Sequence, residues 1–96
     1  MNLRELLKEN RQDILRIAKK HGARNIRLFG SVARGEDDEQ SDIDFLVEME
    51  PDRSLLDRAA LQLELQELLG RNVDVVSERG IKPRIRDRVL QEATTL

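Results

Sequence analysis

Apolar residues recur every three or four positions between residues 2 and 21. Leu3, Leu7, Ile14, Ile17 and Ala18 fall on one side, with Arg, Lys and Glu between them, and this spacing predicts one amphipathic helix. Gly22 suits the left-handed residue just past a helix end. His21 falls in the last turn, where a polar or positive group complements the helix dipole. Residues 25 to 29 read as a first strand. Gly30 then turns the chain into a short helix through Ser31 to Arg34, closed by Gly35. The connector Glu36-Asp37-Asp38-Glu39 reads as a solvated loop. From Ile43 to Glu48 the pattern alternates: Ile43, Phe45 and Val47 share one face, and Asp42, Asp44 and Leu46 the other. Pro51 breaks the chain. Ser54 is an N-cap with Asp57 three residues on, in a box-like arrangement. Leu55, Leu56, Ala59, Leu63 and Leu68 are expected to give the following helix its apolar side, and Gly70 ends it. Residues 72 to 76 read as a third strand. Pro83 starts a last helix at its first turn, with Ile85, Val89 and Ala93 as its stripe.

Strands alternating with helices predict an α/β layer arrangement. Composition narrows the picture further. The chain has 96 residues, read as a single domain over 1–96. Charged residues make up 38%, but the two signs nearly cancel at a net −2, which argues against bulk nucleic-acid binding. With no cysteine and one histidine, neither disulfides nor thiolate or histidine-rich metal sites are available. No apolar stretch is long enough to span a membrane and no signal-peptide core is visible, so a cytoplasmic protein is expected. Phe29 and Phe45 are the only aromatic residues, which leaves the core to Leu, Ile and Val.

The candidate chemistry lies between residues 30 and 44. Asp42 and Asp44, two residues apart at the start of a strand, project to one side. Two like charges about 4 Å apart repel by roughly 4 kcal/mol at an effective dielectric near 20. A cation between them removes that cost, and magnesium, held by one or two carboxylates plus substrate phosphates, is the candidate. Gly30-Ser31 opens a short helix. Backbone N–H groups, a hydroxyl and the missing Cβ there suit a phosphate, although the same pair also reads as an ordinary strand-to-helix turn with a serine cap. Asp74 lies inside the apolar run Val73-Asp74-Val75-Val76, where an unpaired charge is expensive. It is either a third acid of the site or an edge-strand carboxylate facing solvent. Arg34 follows the turn closely enough to reach phosphate. Arg79, Lys82, Arg84, Arg86 and Arg88 make a basic C-terminal quarter that reads equally as a solvated helix, a nucleotide-phosphate contact or a surface for an acidic partner.

The spacing Gly30-Ser31, ten residues, Asp42-Ile43-Asp44, with Ala33-Arg34-Gly35 and Ser41 around it, resembles the signature of the nucleotidyltransferase superfamily that includes DNA polymerase beta and the kanamycin nucleotidyltransferases. It is similar above all to the minimal nucleotidyltransferases, antitoxin partners in HEPN/MNT toxin–antitoxin pairs. That resemblance implies a nucleotidyltransferase fold with a small mixed sheet of about three strands flanked by helices. It implies two Mg2+ ions on Asp42, Asp44 and Asp74, with ATP as substrate, Gly30, Ser31 and Arg34 on the nucleotide, and Asp74 as general base. It also implies transfer of AMP to a hydroxyl, a tyrosine, of a cognate HEPN toxin within a hetero-oligomer. Two other readings stand beside it: an antitoxin that neutralises by binding alone, and a small-molecule nucleotidyltransferase.

Overall fold

A computed structural model describes residues 2–36 and 41–96; Asp37, Asp38 and Glu39 of the acidic connector lie outside the described residues. The elements run α1 (Leu3–Glu9), α2 (Arg11–Lys20), β1 (Ala23–Phe29), α3 (Gly30–Arg34), β2 (Ile43–Met49), α4 (Leu55–Leu69), β3 (Val73–Ser77), a 3-10 turn (Glu78–Gly80), α5 (Pro83–Glu92) and β4 (Thr94–Thr95). Among the described residues the sheet has four strands in the order β3-β2-β1-β4. β1 is antiparallel to both its neighbours, and β2 is parallel to β3. The mixed α/β sheet expected from the resemblance is present. The extra strand is the two-residue β4, too short to leave a signal in the hydrophobic pattern.

The single N-terminal helix expected over residues 2–21 is two helices. Asn10 ends α1 and begins α2, and its side-chain amide donates to the Leu6 carbonyl at 2.9 Å. The backbone ladder continues into and out of Asn10, from its N–H to Leu6 O and from Ile14 N–H to Asn10 O. A polar side chain competing for a helix carbonyl bends the helix without ending the apolar stripe, so periodicity alone sees one element. Leu3, Leu7, Ile14, Ile17 and Ala18 are all buried.

One face of the sheet carries the main core. Ile43, Phe45 and Val47 of β2 and Val73 and Val75 of β3 pack with Ile14, Ile17 and Ala18 of α2 and Leu61, Leu65 and Leu69 of α4. The Ser54–Asp57 capping box starts α4, and Gly70 ends it in the left-handed region. Its buried side differs from the expected one. Leu61, Leu65 and Leu69 face the sheet and Leu68, one of the expected residues, packs partly buried against the core, while Leu55, Leu56, Ala59 and Leu63 are exposed. α4 is apolar on both sides, so the sequence pattern leaves its rotation open. The choice is made by polar groups. Gln62 and Gln66 accept hydrogen bonds from the Val75 and Val73 N–H groups, and Arg58 donates to the Val75 carbonyl at 2.7 Å. These bonds occupy the outer edge of β3, which would otherwise present unpaired backbone.

The opposite face of the sheet is thinly covered. Leu46 and Ile81 are buried there outside the main cluster. The last helix, α5, buries none of its residues, and Ile85 of its expected stripe remains 44% exposed. Among the described residues no helix is long and apolar enough to cross a membrane. The observed rotation of α4 has a measurable consequence. Leu65→Ala is expected to cost about 2–5 kcal/mol in urea denaturation, and Leu63→Ala less than about 0.5 kcal/mol; equal losses would mean that α4 is turned the other way.

Candidate active site

The strand pairing explains why distant acids and a glycine turn meet. β1 and β2 are antiparallel, with Phe29 opposite Asp44. The end of β1 therefore lies beside the start of β2, and the chain leaving at Gly30 returns at Asp42 next to where it left. β2 and β3 are joined through α4 and run parallel, with Asp44 level with Asp74. Neighbouring strands lie about 4.8 Å apart, so the two carboxylates stand side by side on the thinly covered face.

Gly30 has φ +73°, a backbone conformation that side chains disfavour. A Cβ added there would overlap Asp44 Oδ2. The glycine thus serves two purposes: it makes the turn into α3, and it lets the turn's backbone lie directly against the Asp44 carboxylate. Ser31 follows as a half-buried residue, and Gly35 closes α3 in the left-handed region.

Asp44 is half-buried, whereas Asp42 and Asp74 are exposed. Burial pushes the Asp44 carboxyl up from its ordinary 3.8 to about 6. The charges of Asp74 and then Asp42 add to the rise, and Arg34 opposes it. Both predicted acids and the predicted arginine are therefore within electrostatic reach of Asp44. Their arrangement is not a closed ligand cage: among the described residues, no three His, Cys, Asp or Glu side chains are gathered as a ready metal site.

Arg34, at the end of α3, is engaged by other groups. It donates to Glu36 at 2.9 Å and to Glu92 of α5 at 3.1 Å, and the Glu36 hydrogen bond chiefly raises its pKa. His21 caps α2 and lies 3.0 Å from Glu64 of α4, far in sequence and on the core side, which matches its reading as a helix-end residue.

A cleft of about 450 Å³ opens beside the acids. Asp44 and Asp74 line it with Phe29, Ile85, Lys82 and Arg84 among others. Sequence reasoning located the basic quarter but did not place Lys82 and Arg84 on this cleft. Pro83 between them was the available signal, because a helix starting there carries both residues at its first turn.

Residues 3–96 match the nucleotidyltransferase domain family. A Methanocaldococcus jannaschii protein named "putative protein adenylyltransferase MJ0435" is 45% identical over 93 residues, covering 97% of this chain and 96% of its own length. A solved structure of a "putative minimal nucleotidyltransferase" is 53% identical and superposes with a TM-score of 0.90, over 100% of this chain and 97% of that one. A crystal structure of a toxin–antitoxin with AMP-PNP is 25% identical with a TM-score of 0.76, over 88% of this chain and 70% of that one.

A carboxyl whose folded pKa exceeds its unfolded value holds its proton more tightly when folded. The linked stabilisation is complete below about 3.8 and is lost as pH rises through about 6. Asp44→Asn keeps the shape and removes the charge. In metal-free buffer the variant is expected to melt above the parent at neutral pH, by on the order of 1–2 kcal/mol after allowance for solvent screening. The gap should close towards pH 4. Thermal melts across this range check it, and a gap independent of pH would contradict the crowding of the three acids.

Proposed function

Because this chain belongs to the nucleotidyltransferase domain family, we propose that it transfers AMP from ATP to a hydroxyl of a partner protein and acts as the antitoxin of a toxin–antitoxin pair. The acceptor is a tyrosine of a cognate HEPN toxin, as the resemblance to the minimal nucleotidyltransferases implies. The chain works as one cytoplasmic transferase domain in complex with that toxin. One observation carries the reading: Asp44 is held between the Gly30 turn and Asp74, beside an open cleft.

Asp42, Asp44 and Asp74 would hold two magnesium ions together with the nucleotide phosphates. The residues fit. Magnesium is usually bound by one or two carboxylates plus substrate oxygens rather than by an all-protein cage, and Asp44 and Asp74 stand level on adjacent strands and line one open cleft. When bound, the metal supplies charge neutralisation and acidifies a coordinated hydroxyl.

The remaining work falls to the chain's own groups. Backbone N–H groups of the Gly30 turn and the Ser31 hydroxyl donate to phosphate oxygens. Asp74, exposed and lining the cleft, would accept the proton of the incoming hydroxyl. This chain has no tyrosine, so it cannot modify itself on that residue.

The test combines labelled ATP, magnesium and the toxin encoded alongside. Label is expected on the toxin, and Asp74→Asn is expected to slow transfer by about 10²-fold or more. Toxin neutralised without label, and still neutralised by Asp42→Asn with Asp44→Asn, would replace the reading with binding alone. Label passing to a small molecule without the toxin would replace it with a small-molecule transferase.

A further inference from the structure

The five cations of the C-terminal quarter divide by their surroundings. Arg86 donates to the Glu78 carbonyl, and Arg88 pairs with Glu92. Arg79 lines a different depression, beside Arg53 and Arg58. Lys82 and Arg84 have neither an ion pair nor a side-chain hydrogen bond among the described residues, and both line the cleft that holds Asp44 and Asp74.

This cleft therefore has acids on the sheet side and unpaired cations on the α5 side, and neither set neutralises the other. Such a cavity fits a ligand that carries both signs. A polyphosphate bound to a divalent cation is one: its anionic oxygens meet the lysine and arginine, and its metal meets the carboxylates. Arg34 differs, because Glu36 at 2.9 Å and Glu92 at 3.1 Å already compensate its charge. The Glu92 bond joins α3, which begins with the Gly30–Ser31 turn, to α5, which begins at Pro83 with Lys82 as its N-cap.

We propose that Lys82 and Arg84 bind the β- and γ-phosphates of the nucleotide, and that Arg34 is a structural tie that sets α5 against α3. The proposal rests on the nucleotidyl-transfer reading above. In that reaction the acceptor oxygen forms a bond to the α-phosphorus. The bond from the α-phosphorus to the α–β bridging oxygen breaks, and its electron pair leaves with pyrophosphate. The hydroxyl proton passes to Asp74. Negative charge grows on the departing group, and Lys82 and Arg84 lie on the wall where it is stabilised.

The experiment measures binding of ATP, AMP and inorganic pyrophosphate to the full chain by calorimetric titration with magnesium. Lys82→Ala with Arg84→Ala is expected to weaken ATP and pyrophosphate about 10- to 100-fold and to leave AMP unchanged. The charge-conserving pair Lys82→Arg with Arg84→Lys is expected to retain most of the ATP affinity. Arg34→Ala is expected to lower the melting temperature without nucleotide while keeping the ATP-to-AMP affinity ratio. An unchanged ratio in the Lys82/Arg84 double variant, or a collapsed ratio in Arg34→Ala, would overturn the assignment. Loss of ATP binding in Asp44→Asn alone, with the double variant still binding, would overturn it while leaving the transferase reading intact. A parent chain that binds no ATP would remove both.

Discussion

The site depends on two carboxylates being held level on adjacent parallel strands against their mutual repulsion. Asp44 cannot move away from Asp74 without breaking the β2–β3 register, because five residue pairs, from Ile43 with Val73 to Val47 with Ser77, lock the strands together. It cannot turn freely towards β1 either, since the Gly30 backbone lies against its carboxylate. The buried residues Ile43 and Phe45 on either side hold that register, so the energy that keeps the acids crowded comes from the core beneath them. Burial first, and the charges of Asp74 and Asp42 after it, raise the Asp44 carboxyl.

The same sheet has two unequal faces. Helices α2 and α4 close one of them with a continuous apolar core. Among the described residues, the other is roofed by the 3-10 turn and α5, held by a few polar ties. Arg27 of β1 pairs with Glu78 at 3.1 Å, Arg86 with the Glu78 carbonyl, and Arg34 with Glu92. A helix with no buried residue contributes little to stability, but it leaves room for a ligand beneath it. Strong packing on one side and open space on the other give the candidate site a packed floor beneath an open cleft.

Much of this arrangement was legible in the chain. The alternation Asp42, Asp44 against Ile43, Phe45 assigned the faces of β2 correctly, because strand periodicity is strict and one face must be buried. The Ser54–Asp57 box and Gly70 marked the ends of α4, because caps are local chemistry. The face of α4 was misjudged, since Leu55, Leu56 and Leu63 compete with Leu61, Leu65 and Leu69 on apolarity alone. The hydrogen bonds of Arg58, Gln62 and Gln66 to β3 favour the observed rotation, and they join separate elements. The division at Asn10 escaped for a related reason: it leaves the apolar stripe unbroken.

By itself the sequence determined the order of the three main strands and the turn at Gly30, because each is set by a few neighbouring residues and their spacing. The tertiary structure alone decided that Asp74 stands level with Asp44, that Arg34 is bound to Glu36 and Glu92, and that Lys82 and Arg84 share a cleft with the acids. These are relations between separate elements, such as Asp44 with Asp74 across β2 and β3 and Arg34 with Glu92 across α3 and α5. Such relations are settled by strand register and helix placement, which depend on how the whole core packs.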